Sequence, residues 1–120
     1  VSYGLIQETY TKALTTAEST VFNQSVNNVE FVMIEVDVSG SPLTSFTVQM
    51  KGHAAGGMLD MFSSSDDYIN PKGLLRGASC DMTTFSTTGG WVMIEVRGIS
   101  EIAVKCSSSV TSNITCRVGG

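Results

Sequence analysis

Phe31-Val32-Met33-Ile34-Glu35-Val36 returns 60 residues later as Trp91-Val92-Met93-Ile94-Glu95-Val96, five of the six residues identical. In each copy Val32, Ile34 and Val36, or Val92, Ile94 and Val96, fall on one side of an extended chain, which is the period-two pattern of a strand with a buried face. Each copy runs into a turn and a second alternating stretch. The first turn holds Ser39-Gly40-Ser41-Pro42 and the second, which follows its echo stretch directly, Arg97-Gly98-Ile99-Ser100, both with residues suited to reversing the chain. The echo therefore predicts two similar hairpins, which one small domain accommodates most simply as the layers of a β-sandwich.

Outward from the echo the same alternation recurs. Phe46, Val48 and Met50 alternate with Thr47, Gln49 and Lys51. Ile102, Val104 and Cys106 alternate with Ala103 and Lys105, and Ile114, Cys116 and Val118 with Thr115 and Arg117. Further strands are expected near Val21 to Val26, Met58 to Phe62 and Leu74 to Met82, the last two separated by a polar loop from Ser63 to Gly73. The count reaches about eight short antiparallel strands, an all-β, jelly-roll-like single sandwich over residues 21–120. Residues 1–20 are expected as an N-terminal arm or a short helix, because Leu5, Ile6, Tyr10, Ala13 and Leu14 have loosely helical spacing that the threonines oppose.

The chain has 120 residues, of which 42% are hydrophobic and 15% charged, with 11 acidic against 7 basic side chains and a formal charge of -4. At this length a chain buries about two thirds of its extended surface, enough for one core. The acidic balance, with no Lys/Arg cluster, argues against a nucleic-acid or anionic-lipid partner. No apolar run approaches the roughly 20 residues of a membrane helix, and no basic-then-apolar leader opens the sequence, so a soluble chain is expected.

Catalytic constellations are weak. The single histidine, His53, lies in a glycine-rich stretch, Gly52 to Gly57, that lacks the lysine and Ser/Thr of a phosphate loop and reads as a turn. No nucleophile elbow accompanies the serines. Asp66 and Asp67, with the Asn70 carbonyl, offer oxygen ligands without EF-hand spacing, and a solvated acidic loop is favoured. Tyr68 and Trp91 form at most a weak platform for a sugar ring. No enzyme, cofactor or metal is expected. Cys80, Cys106 and Cys116 have no CxxC spacing. A hairpin over residues 101–118 centred near Thr111 would set Cys106 opposite Cys116 for a disulfide, while buried thiols are the favoured alternative.

One feature exceeds simple alternation. Phe31, Met33, Trp91 and Met93 are apolar on the face that should meet water, so each echo strand begins apolar on both sides. Either the N-terminal segment or a loop covers this patch, or it is a subunit or shell contact centred on Trp91 and Phe31. Tyr3, Leu5 and Ile6, apolar without sandwich-like alternation, are candidate docking residues beside it.

The succession Val36-Asp37-Val38-Ser39-Gly40, Phe46-Thr47-Val48-Gln49-Met50, a Ser-Asp-rich loop, Gly90-Trp91-Val92 and Val96-Arg97-Gly98-Ile99-Ser100-Glu101-Ile102-Ala103-Val104 resembles small β-sandwich virion proteins of tailed bacteriophages. The similarity is to head decoration (cement) proteins and related fibre or tail modules, over about residues 30 to 118. It implies a non-enzymatic structural protein on the outer capsid surface of the virion, bound to the major capsid protein and to neighbouring copies of itself as a trimer. The alternative is a receptor- or carbohydrate-binding module of a fibre or tail.

Overall fold

A computed structural model describes residues 7–27, 29–52, 57–63, 75–78 and 82–120. Among them the chain forms β1 (Gln7–Leu14), β2 (Ser19–Ser25), β3 (Phe31–Gly40), β4 (Leu43–Gly52), β5 (Leu59–Ser63), β6 (Leu75–Ala78), helix α1 (Met82–Thr88), β7 (Gly89–Glu95), β8 (Ile99–Ser108) and β9 (Ser112–Gly119). Two antiparallel sheets, ordered β1-β9-β3-β7-β6 and β2-β8-β4-β5, face each other. The all-β sandwich of the sequence reading is therefore present. Its order is that of a jelly roll: β1 lies beside β9, β2 beside β8, β3 beside β7 and β4 beside β5, as when one long hairpin is rolled up. β6 is added at an edge.

The inward rows close one core. Val32, Ile34 and Val36 of β3, Val92 and Ile94 of β7, and Ile114, Cys116 and Val118 of β9 meet Phe46, Val48 and Met50 of β4 and Ile102, Val104 and Cys106 of β8. The seven-residue α1 closes one end, with Phe85 fully buried and its ring edge-on to Phe46 at 4.9 Å.

Three expectations change. The two echo stretches do not open hairpins. β3 and β4 lie in opposite sheets, as do β7 and β8, so each turn is an arch across the core. The reason is that both strands of each pair carry an apolar row, and arching sets those rows against each other instead of side by side. The same holds for residues 101–118, where β8 and β9 belong to different sheets and Cys106 does not oppose Cys116 on one face.

The arm or short helix expected over residues 1–20 gives way, within the described residues, to β1 and β2. β1 alternates Tyr10 and Leu14 inward with Thr9, Thr11 and Ala13 outward, and pairs with β9 over its whole length. Threonine favours this extended state, and the free edge of β9 supplies the partner. Finally, the strand expected from Leu74 to Met82 is shorter, as β6, and Met82–Thr88 is helical despite its threonines and serine. Burial of Phe85 overrides their low helix propensity.

Candidate contact surface

The outward face of the β1-β9-β3-β7-β6 sheet gathers the apolar residues that alternation left unexplained. β3 and β7 run antiparallel with Met33 directly opposite Met93, Phe31 opposite Glu95 and Trp91 opposite Glu35. Side chains directly opposite one another lie about 5 Å apart at Cβ, and diagonal neighbours about 7 to 8 Å apart, within reach of large side chains. The two methionines thus form a centre, with Phe31 and Trp91 at the ends of one diagonal and the acidic Glu35 and Glu95 at the ends of the other. Phe31 is 38% exposed, and Met33, Trp91 and Met93 are half-buried. The Trp91 indole lies over Gly77 of β6, where an added Cβ would stand 3.4 Å from the ring.

Across β9 the face becomes polar. Gly119 neighbours both Gln7 and Met33, and Arg117 neighbours Thr9 and Glu35. Because Gly119 has no side chain, a shallow depression of about 300 Å³ opens there, lined by Gln7, Thr9, Met33, Glu35, Arg117 and Gly119 among others. The Arg117 Nη1 donates to Asp37 Oδ2 at 2.6 Å, and that hydrogen bond and charge raise the guanidinium's pKa. The surface is an apolar diagonal with an acidic margin and one paired cation.

Of the candidate contact residues, Phe31, Met33, Trp91 and Met93 come together on this face. Tyr3, Leu5 and Ile6 lie outside the described residues, as do His53, Asp66, Asp67, Tyr68, Asn70 and Cys80. Gln7, Arg117 and Gly119 were missed by sequence reasoning. Their place depends on β9 lying between β1 and β3, and local alternation carries no signal of that neighbourhood.

Among the described residues no group of three or more His, Cys, Asp or Glu side chains is placed to hold a metal. Cys106 and Cys116 are free and fully buried in opposite sheets. Burial pushes the Cys116 thiol up to about 12, with Asp37 adding to the effect. Burial also raises Cys106 strongly, reinforced by Cys116 and Glu18. Thiols held protonated in this way are poor nucleophiles and poor metal ligands.

No protein-family model and no curated protein matches the sequence. Among solved structures, the crystal structure of the SPBc2 prophage-derived protein YomS aligns with a TM-score of 0.53 at 10% identity, over 96% of each chain. A Bacillus endospore appendage from a family of disulfide-linked pili gives 0.43 at 7% identity, over 98% of this chain and 88% of that one. A chain of infectious bursal disease virus, Gx strain, gives 0.39 at 11% identity, over 98% of this chain and 32% of the viral one. At such identities the YomS likeness is one of fold. Fold and surface together define a jelly-roll sandwich with an apolar outer sheet face.

Proposed function

We propose that this chain is a non-enzymatic structural protein of a phage particle, which decorates and stabilises the outer capsid surface through contact. The observation that carries the reading is the diagonal Phe31, Met33, Met93, Trp91 on an outward sheet face, where a monomer's surface ordinarily keeps large apolar side chains apart. Its partners are the major capsid protein and neighbouring copies of itself. The YomS likeness, extending over 96% of both chains, supports a phage origin, and the sequence resemblance to decoration proteins supports the head as the location. Contacts of modest strength suffice for such a role, because a shell repeats them at every equivalent position.

β1 begins at Gln7, which lines the same depression as Met33, so Tyr3, Leu5 and Ile6 precede a strand whose first residue borders this face. They belong to the same proposed contact. The test is cosedimentation of the purified chain with emptied tailed-phage capsids lacking their decoration protein. Phe31→Ser combined with Met93→Ser is expected to reduce the bound fraction at least tenfold while the melting curve stays cooperative. Trp91, the single tryptophan, reports docking through a shift of its emission. Undiminished capsid binding by the double variant would remove this face from the contact. Glycan binding that is lost in Trp91→Ala, with no capsid binding, would move the protein to a fibre or tail.

A further inference from the structure

Four strands border the two sheets, and three of them are irregular. The pairing of β2 with β8 shifts register between Thr20 and Phe22, that of β5 with β4 between Val48 and Gln49, and that of β6 with β7 between Leu75 and Gly77. Such bulges twist an edge out of line and discourage further pairing. β1 is different. Its eight residues pair with β9 without interruption from Gln7↔Gly119 to Leu14↔Ser112, and it contains neither proline nor glycine. Among the described residues its other side has no strand neighbour. Tyr10 is anchored from behind: its ring stacks on Phe22 at 4.7 Å and its Oη donates to Gln24 Oε1 at 2.5 Å. The strand is an uninterrupted, braced edge.

The sequence of this edge, Gln7-Glu8-Thr9-Tyr10-Thr11-Lys12-Ala13-Leu14, complements itself in one register. We propose that β1 is a self-recognition edge, on which a second copy of this chain docks its own β1 antiparallel about a two-fold axis at Tyr10. Glu8 of each copy then faces Lys12 of the other, Thr9 faces Thr11, and Tyr10 faces Tyr10. The parity of that register keeps inward residues beside inward residues, so the two β1-β9-β3-β7-β6 sheets join as one continuous sheet. Slipping the strands by four residues sets Glu8 against Glu8 in one direction and Lys12 against Lys12 in the other. Like charges directly opposite are unfavourable and opposite charges favourable, so the charges select the register.

Neither Glu8 nor Lys12 has an ion-pair partner among the described residues, whereas Glu18, Glu30, Asp37, Arg97, Lys105 and Arg117 do. Lys12 is half-buried although it sits on an edge strand. An isolated inward lysine only deters pairing, but one matched by a glutamate four residues earlier favours the register that sets the two opposite each other over those that oppose like charges. The inference goes beyond the capsid reading and does not depend on it. It gives the contact between copies a two-fold geometry, where the phage resemblance implies a trimer.

Sedimentation equilibrium of the full chain at low ionic strength tests it. The native chain is expected to form a dimer. Glu8→Lys and Lys12→Glu should each weaken dimerisation about tenfold or more, because each substitution turns two attractive contacts into repulsive ones by symmetry. An equimolar mixture of the two variants should recover a heterodimer, and the double variant E8K/K12E should recover the homodimer. That recovery also establishes that the single variants are folded. A native chain that stays monomeric up to about 1 mM would overturn the proposal, as would single variants that dimerise as well as the native chain, or a mixture that fails to recover association.

Discussion

Gly89 has the narrowest tolerance of the described glycines. It opens β7 opposite Asp37, with φ of 95°, and a Cβ built there would lie 1.9 Å from the Val36 carbonyl oxygen. Two constraints coincide, a left-handed backbone and contact with a neighbouring backbone that cannot rotate away. Gly89→Ala is expected to cost at least about 3 kcal/mol, combining backbone strain and steric displacement, and a urea melt measures it. Phe85→Ala should cost about 3 to 5 kcal/mol, since it leaves a cavity against Phe46 at the closed end of the core. The two buried thiols set an alkaline limit. Both hold their protons more tightly folded than unfolded, so above the unfolded thiol pKa of about 8.5 the unfolded chain sheds protons that the folded chain keeps. Stability should therefore be unaffected by these groups below pH 8 and fall as pH rises through 9 to 11, where each unfolded thiol loses a proton that its folded counterpart keeps. Thermal melts across that range check the slope. Iodoacetamide should leave Cys106 and Cys116 unlabelled until denaturant is added.

At the scale of elements, the echo acquires a geometric meaning. Two copies of an aromatic-x-Met-x-Glu strand, paired antiparallel with the methionines opposite, must place each aromatic ring against the other copy's glutamate. The crossed diagonals on the outer face follow from that single pairing. The following strands also pair, but β4 and β8 begin 56 residues apart, at Leu43 and Ile99, because β8 starts four residues sooner after its echo stretch than β4 does. The apolar outer residues Phe31, Met33, Trp91 and Met93 were legible in the sequence, since alternation alone reveals a strand that is apolar on both sides. That they form one patch was not, since no local pattern says that β3 and β7 are neighbours. β1 shows the reverse. Its loosely helical spacing of Tyr10, Ala13 and Leu14 was opposed in the sequence only by its threonines, and pairing with β9 decided for the strand. Removal of residues 1–6 should leave the melting transition near its native position while lowering capsid binding. Removal of residues 1–14 takes away buried Leu14 and uncovers Phe22 and β9, and should cost at least about 3 kcal/mol in a denaturant titration.

For the whole molecule, the rolled hairpin makes the first described strand pair with the last and the second with the eighth, so contacts far apart in sequence dominate. Closing such loops precedes the gain from pairing, and refolding followed by Trp91 fluorescence is expected on the millisecond-to-second scale, not in microseconds. The sequence by itself determined that the chain is built mostly of strands, which residues of the strands it marked by alternation turn inward, and that the echo strands carry apolar residues on both faces. These follow from the two-residue repeat of extended backbone, a steric property that each short segment carries alone. The tertiary structure decided that the turns arch between sheets, that β9 lies between β1 and β3, and that β1 remains, among the described residues, an uninterrupted edge. Strand partners are chosen when two layers close over a shared interior, and that closure depends on all the rows at once.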